Sequence, residues 1–195
     1  MAQQNFVDII PLGLTRGISL QRAYILILRE KTSMRCMAVL ITAEEYQLVS
    51  KMMRGEIDPF IHTYRDTLDT FGVKLHCVVI HNNTSDGGYC SELIMEQGSD
   101  MRHVRQRTGL GVSIAMGLGV PLQANRRYFD ETADDAMQPD GTVQVKLPLK
   151  AMELTLLREA LEEAVQKEQF EIASTLRDEI ARRENLSRFS STATL

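Results

Sequence analysis

Through the first three quarters of the chain, short apolar runs alternate with polar turns, and after Pro148 the pattern becomes purely helical. Phe6 to Leu12, Ala23 to Arg29 and Met34 to Ile41 are short and rich in Val, Ile and Leu. They read as strands punctuated by Gly17 and by the turn Glu30-Lys31-Thr32-Ser33. The short connection between the second and third predicts antiparallel pairing. Thr42 reads as a helix N-cap, with Glu44 and Glu45 in a first turn where the dipole favours anions, and the helix should stop at Gly55. Ile61, Tyr64, Leu68 and Phe71 recur at helical spacing after Pro59 and predict a second helix ending at Gly72. Val73 to Ile80 and Tyr89 to Glu96 are the next strands, joined by a polar loop over 81–88. A third strand near His103 to Arg107 leads into Gly109 to Gly119. Although glycine-rich, that segment has an interior of Leu, Val, Ile and Met, so it reads as a short helix packed closely on the sheet and not as a phosphate-cradling loop. Pro121-Leu122 begins a brief extended piece, and Asp130 to Gly141 reads as an acidic loop.

Strands that come in runs, without strict alternation with helices, predict an α+β fold. The expected architecture is a mixed or antiparallel sheet with short packing helices, followed by a C-terminal antiparallel helical hairpin. All 12 glycines and all 5 prolines lie before residue 149, which places the boundary there. The expected division is 1–149 for the body, 150–186 for the hairpin and 187–195 for a tail with little reason to be ordered.

In the hairpin, Leu154, Leu157, Leu161 and Val165 form one helical stripe, and Phe170, Ala173, Leu176 and Ile180 form a second. The interruption from Gln166 to Gln169 suits a tight helix–helix turn. Glu163 with Lys167 and Glu179 with Arg183 are favourable i,i+4 pairs. The stretch 150–184 has acidic residues in excess of basic ones, which disfavours DNA and favours protein as its partner. So short a piece seldom buries enough surface to stand alone. Leu157, Leu161, Val165, Phe170, Leu176 and Ile180 are the expected protein-contact residues. They either fold back on the body or meet a second hairpin. The break at Pro148 favours the second arrangement, a homo-oligomer joined through a two-fold helical bundle.

Composition narrows the function classes. The net charge is -4, with 44% hydrophobic and 25% charged residues, which excludes a wholly disordered chain and a protein that coats nucleic acid through a strongly basic surface. Cys36, Cys77 and Cys90 cannot all pair, and no Cys-x-x-Cys exists. Buried thiols in a reducing compartment are expected. No basic leader precedes Pro11, and no apolar run approaches a membrane span, so the expected location is cytoplasmic, away from the membrane. The local basic focus of the body is Arg102, Arg105 and Arg107, with Arg126 and Arg127 following. It is a candidate contact for DNA or RNA phosphates.

The order of three segments carries more than any one of them. VLITAEEY, DPFIHTYRDTL and QRTGLGVSIAMGLGVPL place Glu45, His62 and Arg107 so that residues 6 to 132 resemble the bifunctional nuclease family, a bacterial and plant domain associated with DNase and RNase activity. The resemblance implies hydrolysis of DNA or RNA phosphodiesters. Arg107 would contact phosphate, His62 would act as general acid or base, and Glu45 would serve as metal ligand or base for a divalent cation such as Mg²⁺. Two family carboxylates are replaced here by Thr63 and Leu110, which implies the alternative of a degenerate domain used for binding or assembly. The segment LREALEEAVQKEQFEIASTLRDEIARRE resembles the UVR motif of the B and C subunits of bacterial excision nuclease, through Leu161, Ala164-Val165, Glu168, Phe170-Glu171, Ala173 and Leu176-Arg177-Asp178. That motif implies protein–protein contact.

Overall fold

A computed structural model describes residues 5–16, 24–56, 58–82, 88–135, 149, 152 and 154–192. The first strand, β1 (Phe6–Arg16), is followed by β2 (Tyr24–Glu30) and β3 (Arg35–Ile41), and the three pair antiparallel in that order. The strand expected to end at Leu12 continues to Arg16. Pro11 cannot donate to the ladder, and the register shifts between Pro11 and Gly13, so a bulge absorbs the proline without ending the strand. Helix α1 (Ala43–Met53) opens with a full capping box: the Glu45 backbone N–H donates to Thr42 Oγ1 while Thr42 N–H donates to Glu45 Oε2 at 2.8 Å. Helix α2 (Pro59–Thr70) is capped by Asp58 and buries Ile61.

Strands β4 (Val73–Asn82), β5 (Tyr89–Gln97) and β6 (Asp100–Arg107) form an antiparallel meander. Helix α3 (Thr108–Leu118) leads to the short β7 (Leu122–Asn125), which lies parallel to β4 and antiparallel to β1 and so joins the two halves. The sheet order is β6-β5-β4-β7-β1-β2-β3-β8, where β8 is the two-residue piece Asp134–Asp135. The architecture is α+β with a mixed sheet. Before β8 the chain forms α4 (Arg126–Thr132), where an acidic loop from Asp130 was expected. Asn125 caps it, and Phe129, fully buried beneath the Arg35 guanidinium at 5.2 Å, anchors it. One buried residue in a seven-residue helix leaves no periodicity to read.

One sheet face and the helices enclose the main core, which contains Leu26, Leu28, Val39, Val49, Ile61, Val78, Leu93, Val112 and Phe129. Glycine makes the close approach of α3 feasible. A Cβ on Gly111 would lie 2.1 Å from Ser91 Oγ, and one on Gly117 would lie 2.4 Å from Ile61 Cγ2. The C-terminal part is α5 (Leu154–Gln166) and α6 (Phe170–Thr192), so the helix continues into the stretch expected to be a disordered tail. The Gly17, 83–87 loop and Pro148 expectations lie outside the described residues.

Candidate functional site

The turn between α5 and α6 is built by backbone geometry. Glu168 adopts φ 56°, in the left-handed region. The Gln169 N–H donates to Ala164 C=O at 2.9 Å, and the Glu168 N–H donates to Val165 C=O at 3.1 Å, a Schellman ending without the usual glycine. Gln169 C=O then accepts from Ala173 N–H and starts α6. The two helices therefore reverse direction in three residues, and the expected pairs form: Lys167 Nζ with Glu163, and Arg183 Nε with Glu179 at 2.8 Å.

The six expected contact residues divide in two. Leu157, Leu176 and Ile180 are buried with Ala164 and Ala173 in a second small core, against which Leu161, Leu149 and Leu40 of β3 are packed. Their stripe folds back within the chain, the first of the two expected arrangements. Ala164 faces inward and Val165 outward, because Ala164 lies seven residues after Leu157 and three after Leu161 on the same helical face. Near the turn, Val165 is 53% exposed, Phe170 69% and Ile172 52%, with Phe170 and Ile172 on different sides of α6. Ile172 was missed in the sequence, although it stands four residues before Leu176 at the margin of the stripe.

Arg183 fixes the hairpin to the chain that enters it. Its guanidinium donates to Leu149 C=O at 2.6 Å and to Met152 C=O, and it pairs with Glu179. Hydrogen bonds from Arg182, opposed in part by burial and aided by Arg183, hold the Glu179 carboxyl down to about 2.

In the body, the expected trio does not gather. Both carboxylate oxygens of Glu45 accept backbone N–H groups, Oε2 from Thr42 and Oε1 from Gly109 at 3.1 Å. Glu45 is a buried peg joining the N-termini of α1 and α3. Arg107 occupies the N-cap position of α3, exposed and beside Glu44, whose carboxyl is lowered chiefly by its own backbone N–H and by Thr42, with Arg107 a minor cause. His62 is exposed on α2 next to Ile61, and Ile61 packs at Gly117 near the far end of α3. From Arg107 to Gly117 the helix rises about 15 Å. The residues do not fit a Mg²⁺ centre: Glu45 has both oxygens engaged, and Thr63 and Leu110 offer no carboxylate. Among the described residues no group of three His, Cys, Asp or Glu side chains is placed to hold a metal ion.

The basic residues fall into two places. Arg102, Arg105 and Arg107 lie on β6, where Arg102 pairs with Asp100 at 3.3 Å. Arg126 and Arg127 begin α4 at the same end of the sheet as Arg107, and Arg127 pairs with Glu131 at 3.2 Å. Three strand spacings separate β6 from β7, about 14 Å. On the face of β4 to β6 away from the main core, Glu92 Oε2 lies 3.2 Å from His81 Nε2 and 3.4 Å from His103 Nδ1.

The tip, its Schellman turn and its two inward stripes decide which comparison matters. A family model described as the UvrB/uvrC motif matches residues 153–186. The match coincides with the hairpin, which is a UVR hairpin in both sequence and shape. It includes none of residues 6 to 132, and no comparison supports a bifunctional nuclease domain there. No curated protein matches the chain. Among the described residues no helix is long and apolar enough to cross a membrane.

Proposed function

We propose that the chain is a cytoplasmic assembly module in which an α+β body, residues 1–149, presents a UVR hairpin, residues 150–186, for protein contact. The partner is a second copy of the chain. The exposure of Val165, Phe170 and Ile172 at the tip carries this reading. Three apolar side chains so exposed, on a hairpin whose inner stripe is already satisfied, are surface that a protein partner would cover. Pairing two tips about a two-fold axis would bring Phe170 against its equivalent, beside the Glu163–Lys167 pair.

The nuclease reading of the body is the alternative, and the chemistry of the residues favours assembly over it. Glu45 is occupied as a structural peg, His62 on α2 lies toward the end of α3 away from Arg107, and the replacements at Thr63 and Leu110 remove two carboxylates that could hold a metal or activate water. The purified chain, incubated with single- and double-stranded DNA and RNA in Mg²⁺, Mn²⁺ or EDTA, should leave every substrate intact, while light scattering reports more than one subunit. Cleavage that disappears in His62→Ala would restore the enzyme reading.

A further inference from the structure

The sheet leaves one long strand unpaired on its outer side. β6 ends the strand order, and among the described residues no strand follows it. The opposite edge is closed by β8, only two residues long. A free strand of eight residues presents about 27 Å of alternating backbone donors and acceptors, the surface to which an extended segment adds by main-chain hydrogen bonds.

The side chains along β6 decide what can be added. Val104 packs against the main core, so Arg102, Val104 and Gln106 line the helix side of the edge. His103, Arg105 and Arg107 line the other side. Arg105 stands opposite Glu92 in register, and among the described residues neither Arg105 nor Arg107 forms an ion pair. Three arginines against Asp100 give the strand a formal charge of +2 (3 − 1). A second copy pairing edge to edge would set this row of cations against itself, which disfavours self-pairing. A strand with carboxylates at alternate positions reverses the sign of every such contact, and β-branched residues between them would lie beside Val104.

We infer that β6 is a docking strand for an extended acidic segment of another protein, added antiparallel to the edge with its carboxylates facing His103, Arg105 and Arg107. The surface is separate from the hairpin tip and stands whether or not the tip mediates assembly. Nucleic acid is the competing occupant, and it would use the same arginines without using the backbone.

The test uses the full chain and a fluorescein-labelled eight-residue peptide of alternating Glu and Val, read by anisotropy. Saturable binding is expected, at least tenfold tighter than for the Lys–Val counterpart and abolished when alternate peptide nitrogens of the Glu–Val probe are methylated. Arg105→Ala, an exposed change that should leave the unfolding midpoint unchanged, should weaken binding severalfold. Amide exchange across β6 should slow when the peptide is bound. Equal binding of the methylated probe, no binding of the Glu–Val peptide, or its displacement by a short oligonucleotide that leaves β6 exchange unprotected would each overturn the proposal.

Discussion

The body and the hairpin solve the same packing problem with different margins. The body buries a large core in which glycine backbone lies close under side chains: a Cβ on Gly111 would lie 2.1 Å from Ser91 Oγ, and one on Gly109 would lie 2.6 Å from Glu45 Cβ. The hairpin buries only Met152, Leu157, Ala164, Ala173, Leu176 and Ile180, and it leaves large apolar groups exposed at its tip. Polar chemistry divides the same way. The body's most suggestive carboxylate is consumed in holding two helix ends together, whereas Arg183 of the hairpin holds it to its own entry segment. A residue type that resembles catalysis in the sequence is here part of the scaffold, and the surface available for function lies where packing is thinnest.

The sharpest way to break this contrast is to crowd the body. Gly111→Ala should cost about 2–3 kcal/mol, because Ser91 Oγ already bonds the Arg107 carbonyl at 2.9 Å and cannot easily withdraw. Urea unfolding checks it, and Ser91→Gly in the same chain should recover part of the loss. A fully additive double variant would show that the close approach is not the cause.

The hairpin should yield to acid first. Glu179 has a folded pKa of about 2 against an ordinary 4.5, so its contribution is complete above about pH 5 and is lost as the pH falls from there toward 2. The full linkage for such a shift is about 3 kcal/mol. Screening at the half-exposed Arg182 reduces the expected loss to about 1–2 kcal/mol. Circular dichroism melts between pH 5 and 2 should show a steeper decline in the wild type than in Glu179→Gln over the same window, the difference being the Glu179 contribution. A smaller effect of opposite sign is expected at the turn. Glu168→Gly should stabilise the hairpin by about 0.5–1 kcal/mol, since glycine adopts the left-handed φ without a Cβ penalty. An unchanged melting midpoint would mean that Glu168 carries no strain.

Much of this was legible in the chain. The apolar runs placed β1 to β5, Thr42 marked the N-cap of α1, and the Gln166 to Gln169 break marked the turn. What stayed hidden was long-range or lacked periodicity. Nothing local shows that the Gly109 N–H reaches Glu45 across 64 residues. The single anchor Phe129 gives α4 no stripe, and Pro11 reads as a strand end until a bulge accommodates it. The inner stripe runs Leu157, Leu161 and Ala164, at spacings of 4 and 3, and beside the larger Val165 the small Ala164 does not announce itself.

The tip itself is the direct test of assembly. Sedimentation velocity of the full chain should show concentration-dependent dimerisation. In Phe170→Ala/Ile172→Ala the dissociation constant should rise at least tenfold, equivalent to about 1.4 kcal/mol, with the unfolding midpoint unchanged because both side chains are exposed. Identical sedimentation of the two proteins across that range, whether both dimeric or both monomeric, would contradict assembly through the hairpin tip.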